Sequence, residues 1–325
     1  MITLSKHILF SFITAKHLSK NKGIKMFFKV FIIRFFYAFD FIRNFSNSKK
    51  KHEKEIISEK YFEKDISTKQ VLNDLNRLGY NNILKLKDNY LNLIKEEISL
   101  KNTTISFKGK KSYENFRDHL SDESNLDNIF SKSLEKKISH VALNINLTKT
   151  KYIKELATSN FFMDLSKKYI NNDSVSVSAL CYISNPTQTT ESEKKDNAQY
   201  FHYDNDFKKF FKVFIYLSDV SLAAGPHSFV SKTNIRKKFK HIVAERIDDE
   251  EIKKFYKAED IKIFNGKKGN IIIEDTFGLH KGTPPSKDSR IVLILIFGYG
   301  LGIDIYKNSL IKKLNLNNTN YVQED

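Results

Sequence analysis

The run Ser174-Val-Ser-Val-Ser-Ala-Leu-Cys-Tyr-Ile183 alternates serine with valine over its first five positions and turns continuously apolar after them. A period of two puts alternate side chains on opposite faces, the pattern of a half-buried strand. Outward from this run toward the C-terminus, short apolar segments recur at Tyr200 to Asp204, Phe211 to Ser218, Ser228 to Ser231, Asn270 to Glu274 and Arg290 to Phe297. Gly225-Pro226 and Gly266 to Gly269 punctuate them. All four prolines lie between Pro186 and Pro285, and eight of the eleven glycines between Gly225 and Gly302. Turn-forming residues thus crowd the same region, and short strands at this spacing predict an antiparallel barrel or sandwich.

The first 170 residues read instead as helical. Ser67 can cap a helix running to Leu78, with Gly79 as its stop, followed by an extended Ile83 to Leu86 and a helix from Asp88 to Ile98. Further helices are predicted near Thr148 to Leu156 and Ser159 to Ile170, while Lys101 to Ser133 and Pro186 to Asn197 are loop candidates. No internal repeat is present. The whole is an α+β chain.

Composition limits the chemistry. With 325 residues and 40% hydrophobic side chains the chain can bury a real core. A single cysteine removes any disulfide framework or multi-cysteine metal site, so a metal would have to be held by histidine and carboxylate. Cys181, inside an apolar run, reads as a small core residue.

The net charge of +17 is lopsided: residues 1–52 carry eleven Lys or Arg against Asp40, which is +10 of the total. The other lysines are interspersed with acids, as on solvated helix faces, and no nucleic-acid motif accompanies them, so no nucleic-acid partner is expected. Met26 to Ile42 holds seven phenylalanines but also Lys29, Arg34 and Asp40, and lacks the ~20 nearly uncharged residues of a membrane span. It reads as an amphipathic helix over residues 24–46, which either packs on the domain behind it or makes peripheral membrane contact. The lone cysteine and the poor match to a signal peptide point to a cytoplasmic protein, with the inner face of a membrane as the alternative site.

His202 and Asp204 stand one residue apart in a predicted strand, so the pleat places both on one face as a two-ligand metal clip. His280, 76 residues after Asp204 and just past Phe277-Gly278, supplies a third ligand. Two histidines and a carboxylate leave three adjacent positions open, the arrangement of non-haem Fe(II) oxygenases. Arg290, opening a strand ten residues later, can hold a carboxylate in bidentate fashion. An H-x-D pair by itself is more often a surface salt link; the ordered third histidine and arginine favour the metal. His227, after Gly225-Pro226, either reaches this pocket or is an ordinary loop histidine. Gln199, Lys212 and Tyr216 flank the ligand strand as supporting or core residues. The remaining histidines, His140 and His241 among them, have no partners at ligand spacing.

In one order, Ala198-Gln-Tyr-Phe-His202-Tyr-Asp204, Lys212-Val-Phe-Ile-Tyr-Leu-Ser-Asp219, Gly225-Pro-His-Ser-Phe-Val, His280-Lys-Gly and Arg290 resemble the phytanoyl-CoA dioxygenase family of Fe(II)/2-oxoglutarate oxygenases over residues 175–300. The resemblance implies a double-stranded β-helix (jelly roll, cupin-like) core with N-terminal helices packed outside it. Its metal ligands fall on His202, Asp204 and His280, and its oxoglutarate-binding arginine on Arg290. The chain departs from the family where Val230-Ser-Lys-Thr-Asn234 replaces a Gly-Ser-His turn. Because Asp204 is a carboxylate rather than the small residue of halogenating relatives, the implied reaction is hydroxylation coupled to decarboxylation of 2-oxoglutarate to succinate. The expected organisation is a basic segment 1–52, a helical part 53–172, a catalytic core 173–303 and a tail 304–325. The substrate would be a small molecule of acidic or lipid-linked kind. The alternative from another class is a non-catalytic jelly-roll binding module with membrane association.

Overall fold

The computed structural model describes residues 60–299 apart from 107–110, 173, 188, 206–208, 243 and 245, together with Phe28, 310–313 and 321–322. The basic segment 1–52, with its expected amphipathic helix over 24–46, lies outside the described residues except for Phe28, as does most of the tail 304–325. Among the described residues no helix is long and apolar enough to cross a membrane.

In chain order the elements are α1 (Thr68–Arg77), β1 (Tyr80–Lys85), α2 (Asp88–Glu97), β2 (Thr103–Ser106), a 3-10 turn (Lys111–His119), α3 (Leu126–Glu135), β3 (His140–Ile145), α4 (Tyr152–Ala157), α5 (Asn160–Ile170) and β4 (Ser174–Ser184). There follow α6 (Glu191–Asp196), β5 (Lys209–Tyr216), β6 (His227–Val230), α7 (Phe239–Ile242), α8 (Asp249–Phe255), β7 (Ile261–Phe264), β8 (Asn270–Glu274), β9 (His280–Gly282), β10 (Arg290–Tyr299), β11 (Leu310–Lys313) and β12 (Tyr321–Val322). The helix ends follow local chemistry. Ser67 accepts from the Gln70 amide at the start of α1, and Ser159 from that of Phe162 at the start of α5. The Glu97 carboxylate accepts from the Tyr152 and Ile153 amides at the start of α4. After α1 the chain reverses at Gly79, φ +90°, where a Cβ would lie 2.7 Å from both Phe229 and Asn234; only glycine fits.

Two antiparallel sheets face one another. The large one runs β1-β8-β5-β10-β4, and β4 continues it with β3 along one half and β11 along the other; the small one is β7-β6-β9. Single bridges His202 to His280 and Phe201 to Ile247 extend the small sheet. Along the chain the strands change sheet at nearly every step: β4 large, Phe201–His202 small, β5 large, β6 and β7 small, β8 large, β9 small, β10 large.

The large sheet is buried on both faces, which is why β10 reads Ile-Val-Leu-Ile-Leu-Ile-Phe without polar alternation. Ile291, Leu293, Leu295 and Phe297 join Phe211, Val213, Ile215, Cys181 and Ile183 in an outer core with Leu75, Phe162, Leu165 and other helix residues. Val292, Ile294 and Ile296 join Phe210, Phe214, Tyr216 and Ile272 in an inner core closed by Phe229 and Phe264 of the small sheet. Each such side chain, fully buried, stabilises by about 1.5–3 kcal/mol. Cys181 is fully buried in the outer core, as a core residue should be.

Several sequence expectations are corrected. Tyr200 to Asp204 is no continuous strand; Phe201 and His202 make single bridges only, while the Asp204 amide donates to Thr276 O at 2.8 Å. The loop candidate Lys101 to Ser133 contains β2 and the start of α3, whose Asn125 and Asn128 cap each other's amides. Pro186 to Asn197 contains α6, opened by a Thr190/Glu193 capping box. The turn that replaces Gly-Ser-His holds Lys232 at φ +67°, the left-handed region a glycine would favour. Thr233 Oγ1 closes it, donating to Val230 O at 2.6 Å and accepting from Leu279 N at 2.7 Å.

Candidate metal centre

His202 and His280 lie side by side on the small sheet, exchanging backbone hydrogen bonds of 3.0 and 2.8 Å, with ring centroids 4.3 Å apart. Each imidazole is tied through Nδ1 to a carbonyl two residues back, Tyr200 O for His202 and Gly278 O for His280, both at 3.0 Å. That contact makes Nδ1 the protonated nitrogen and leaves the Nε2 lone pair for a metal. Nε2 of His202 is 3.8 Å from Asp204 Oδ1, and Nε2 of His280 is 3.5 Å from Asp204 Oδ2. One ligand atom from each of the three residues lies within 4.8 Å of the others. A first-row divalent ion with bonds of about 2.0–2.2 Å needs donors about 3 Å apart, so the trio closes on an ion with small side-chain movements.

The electrostatics suit a cation. Burial holds both histidines below their usual value, so they stand neutral at neutral pH. Burial would raise Asp204, but the Lys212 ammonium, then His280 and His202, hold its carboxyl well below the usual carboxylate range. Lys212 Nζ contacts Asp204 Oδ2 at 2.7 Å.

Arg290 begins β10 on its inner face. Burial lowers its pKa, and its Nη1 is buried without a hydrogen-bond partner. The guanidinium lies against Gly282: a Cβ there would come within 2.9 Å of Nη2. Across β4 and β3 the register gives Arg290, Ser184 and His140 as one row, in which His140 Nδ1 meets Ser184 Oγ at 3.3 Å. The next rows inward are apolar and aromatic: Val292 with Tyr182 and Tyr216, then Ile294 with Leu180 and Phe214. The row after these is polar again, pairing Lys212 with Glu274.

No family model matches the chain, and no curated protein matches it. Among solved structures, EctD from S. alaskensis with 2-oxoglutarate and 5-hydroxyectoine is 12% identical at a TM-score of 0.48, over 77% of this chain and 86% of that one. HygX from Streptomyces hygroscopicus with nickel and 2-oxoglutarate is 9% identical at 0.44, over 70% and 86%. SnoK, a non-heme alpha-ketoglutarate-dependent carbocyclase from nogalamycin biosynthesis, is 11% identical at 0.44, over 70% and 83%. At TM-scores this low the likeness carries neither fold nor reaction, and both stand on the residues above.

The structure therefore brings His202, Asp204 and His280 together and sets Arg290 at the start of β10, on its inner face. His227 is buried, its ring centroid 5.6 Å from that of His280. Glu274, which sequence reasoning passed over as the end of a strand, is fully buried with Oε2 2.9 Å from His227 Nε2. A carboxylate closing the apolar run Ile271-Ile-Ile273 was the available signal. His241, by contrast, packs away from the site, with Nδ1 2.9 Å from the Tyr256 hydroxyl.

Proposed function

We propose that this chain is an Fe(II)- and 2-oxoglutarate-dependent dioxygenase that hydroxylates a small molecule. The observation that carries this reading is the convergence of two buried, Nδ1-anchored histidines and one carboxylate within 4.8 Å, together with an arginine whose buried Nη1 has no hydrogen-bond partner. The alternation of successive strands between two facing antiparallel sheets supports reading the core as a double-stranded β-helix.

The donor set fits Fe(II): two histidine nitrogens and a carboxylate oxygen would hold it. When bound, iron and 2-oxoglutarate supply the oxidative chemistry, decarboxylation to succinate coupled to insertion of oxygen into a substrate C–H bond. The protein's part is placement. His202 and His280 present Nε2; Asp204 presents Oδ1 while Lys212 holds Oδ2; Arg290 takes the far carboxylate of the 2-oxoacid. Val292, Ile294 and Phe214 form the apolar inner face of the large sheet between the rows of Arg290 and Lys212. Asp204 fills the position a halide would need, which supports hydroxylation over halogenation.

Anaerobic titration of the purified protein with Fe(II) and 2-oxoglutarate tests the reading. The chelate's weak visible charge-transfer band is expected in the wild type and lost in His280→Ala and Arg290→Ala. Asp204→Ala is expected to abolish succinate formation while leaving the fold intact. A wild type that folds but shows no band, and no binding of either component, would leave a non-catalytic binding module as the better account.

A further inference from the structure

The inner face of the large sheet is covered over only part of its width. On β10 the inner residues Val292, Ile294 and Ile296 are buried in the core closed by the small sheet. One strand further out the cover thins: Leu180 and Tyr182 of β4 are half-buried, although Ala179, Cys181 and Ile183, which alternate with them, are buried against the helices. β3 and β2 carry the same face outward. Val141, Leu143 and Ile145 belong to the outer core, so His140, Ala142 and Asn144 point the other way, and Thr104 and Ser106 of β2 stand beside Asn144 and Ala142. His140, Asn144 and Ser106 are half-buried and Thr104 is exposed.

This face is neither a core nor an ordinary surface. Ser178 and Ser184 complete it, and no lysine, arginine, aspartate or glutamate falls on it, in a chain that is 29% charged and should collect charges wherever water reaches a sheet. Its groups are neutral donors and acceptors around an aromatic step: the His140 ring stands edge-on to Tyr182 at a centroid distance of 4.8 Å, with Nδ1 3.3 Å from Ser184 Oγ. Ser178 shares a register row with Ile296 and with Lys212, whose ammonium holds Asp204. Two strand spacings, about 10 Å, separate the shelf from the strand that supports the metal carboxylate, within the reach of one small ring and a substituent.

We propose, resting on the oxygenase reading of the metal centre, that the inner face of β2, β3 and β4 is the shelf that takes the substrate, and that this substrate is a neutral polyhydroxylated ring, a sugar or cyclitol, rather than an acidic or lipid-linked molecule. Such a ring packs its C–H face on an aromatic side chain and pairs the hydroxyls of its rim with neutral amides and hydroxyls. A carboxylate or phosphate would find no cation on the shelf, since Arg290, beside Ser184, is committed to the cosubstrate in that reading. An acyl chain would leave the polar groups of the shelf unpaired. The chain's own segment 1–52 suits it no better, because its charge of +10 meets no acid there.

Saturation-transfer NMR on the full chain with 2-oxoglutarate and Zn(II), a diamagnetic stand-in for iron, tests this with four probes. Methyl α-glucoside and myo-inositol are the neutral rings, glucose 6-phosphate is such a ring carrying a dianion, and decanoate is an acyl chain. The neutral rings are expected to bind, glucose 6-phosphate no more tightly than methyl α-glucoside, and decanoate not at all. Asn144→Leu removes an amide at nearly constant size and should weaken the neutral rings about fivefold, the worth of one neutral hydrogen bond. Tyr182→Ala removes the aromatic step and should abolish their binding. Zn(II) affinity by calorimetry should match the wild type in both variants, which shows that each is folded. A neutral-ring shelf is refuted if neither neutral ring binds, if both folded variants bind them as the wild type does, or if glucose 6-phosphate or decanoate binds at least tenfold more tightly. In each of those cases the charge-transfer band of the Fe(II)–2-oxoglutarate chelate persists if the oxygenase reading is right. Absence of the band from the wild type sinks that reading, and the ring's role as substrate with it.

Discussion

Lys212 Nζ lies 2.7 Å from Asp204 Oδ2, so the carboxylate expected to ligate a metal already has one of its two oxygens engaged by a fixed cation. With Oδ2 committed, Asp204 would hold a metal through Oδ1 alone. Replacing Lys212 by Met frees Oδ2 to chelate. The expected result is altered coordination of Co(II) in the d–d spectrum, with weaker 2-oxoglutarate binding by about 10–100-fold. Lys212→Arg should restore much of the wild-type spectrum.

Stability without metal should peak near pH 6.5. Burial depresses His202, His227 and His280 below 6.5, so below that pH the unfolded chain takes up more protons and stability falls with acid. Glu274 works in the opposite sense: raised from 4.5 to about 8, it contributes fully below 4.5 and loses that contribution as pH rises through 8. Melting temperature against pH should therefore fall on both sides. Glu274→Gln should flatten the alkaline side and steepen the fall between pH 6.5 and 4.5, where Glu274 opposes the histidines; an unchanged alkaline limb would contradict a neutral, buried Glu274.

Gly282→Ala should separate cosubstrate binding from metal binding. The added Cβ would stand 2.9 Å from Arg290 Nη2, and the guanidinium must move. We expect Ni(II) affinity unchanged and 2-oxoglutarate affinity lowered about tenfold, the worth of a misaligned charged hydrogen bond. Calorimetry with each ligand in turn reads both.

Leu293→Ala removes a fully buried side chain from the outer core and should destabilise the fold by about 2–5 kcal/mol in a denaturant titration. Because Leu293 faces the helices, and Val292 and Ile294 face the site, the folded variant should still form the Fe(II)–2-oxoglutarate chelate.

The sequence was most legible where one rule governed a segment. The period-two run after Ser174, the Ser67 and Ser159 caps and the continuous apolar β10 each followed from local pattern and appear in the structure, although the strand expected to be half-buried has Ser176 and Ser178 buried as well, because the sheet is covered on both faces. The metal trio was legible because residue types with few other uses recurred in order. Long-range register was not legible. Nothing local says that Glu274 stands opposite Lys212, or that His227 crosses to a carboxylate 47 residues away, since both depend on which strands become neighbours. The capping box of α6 was present in Thr190 and Glu193 but lay inside a polar stretch that reads as loop. Tyr200 to Asp204 failed as a strand because its partners are single residues on two different segments.

β10 lies between two cores, and this limits how the chain can be divided. Ile291, Leu293, Leu295 and Phe297 are covered only because the helices before residue 173 lie on them, with Phe162 stacked 5.4 Å from Phe297. A fragment begun at residue 173 would carry every metal ligand yet display that entire apolar face to water. Such a fragment should aggregate rather than bind iron. Deuterium exchange should show the amides of α5 and β10 opening together, in one event, and Arg290, the first residue of β10, is covalently part of that event.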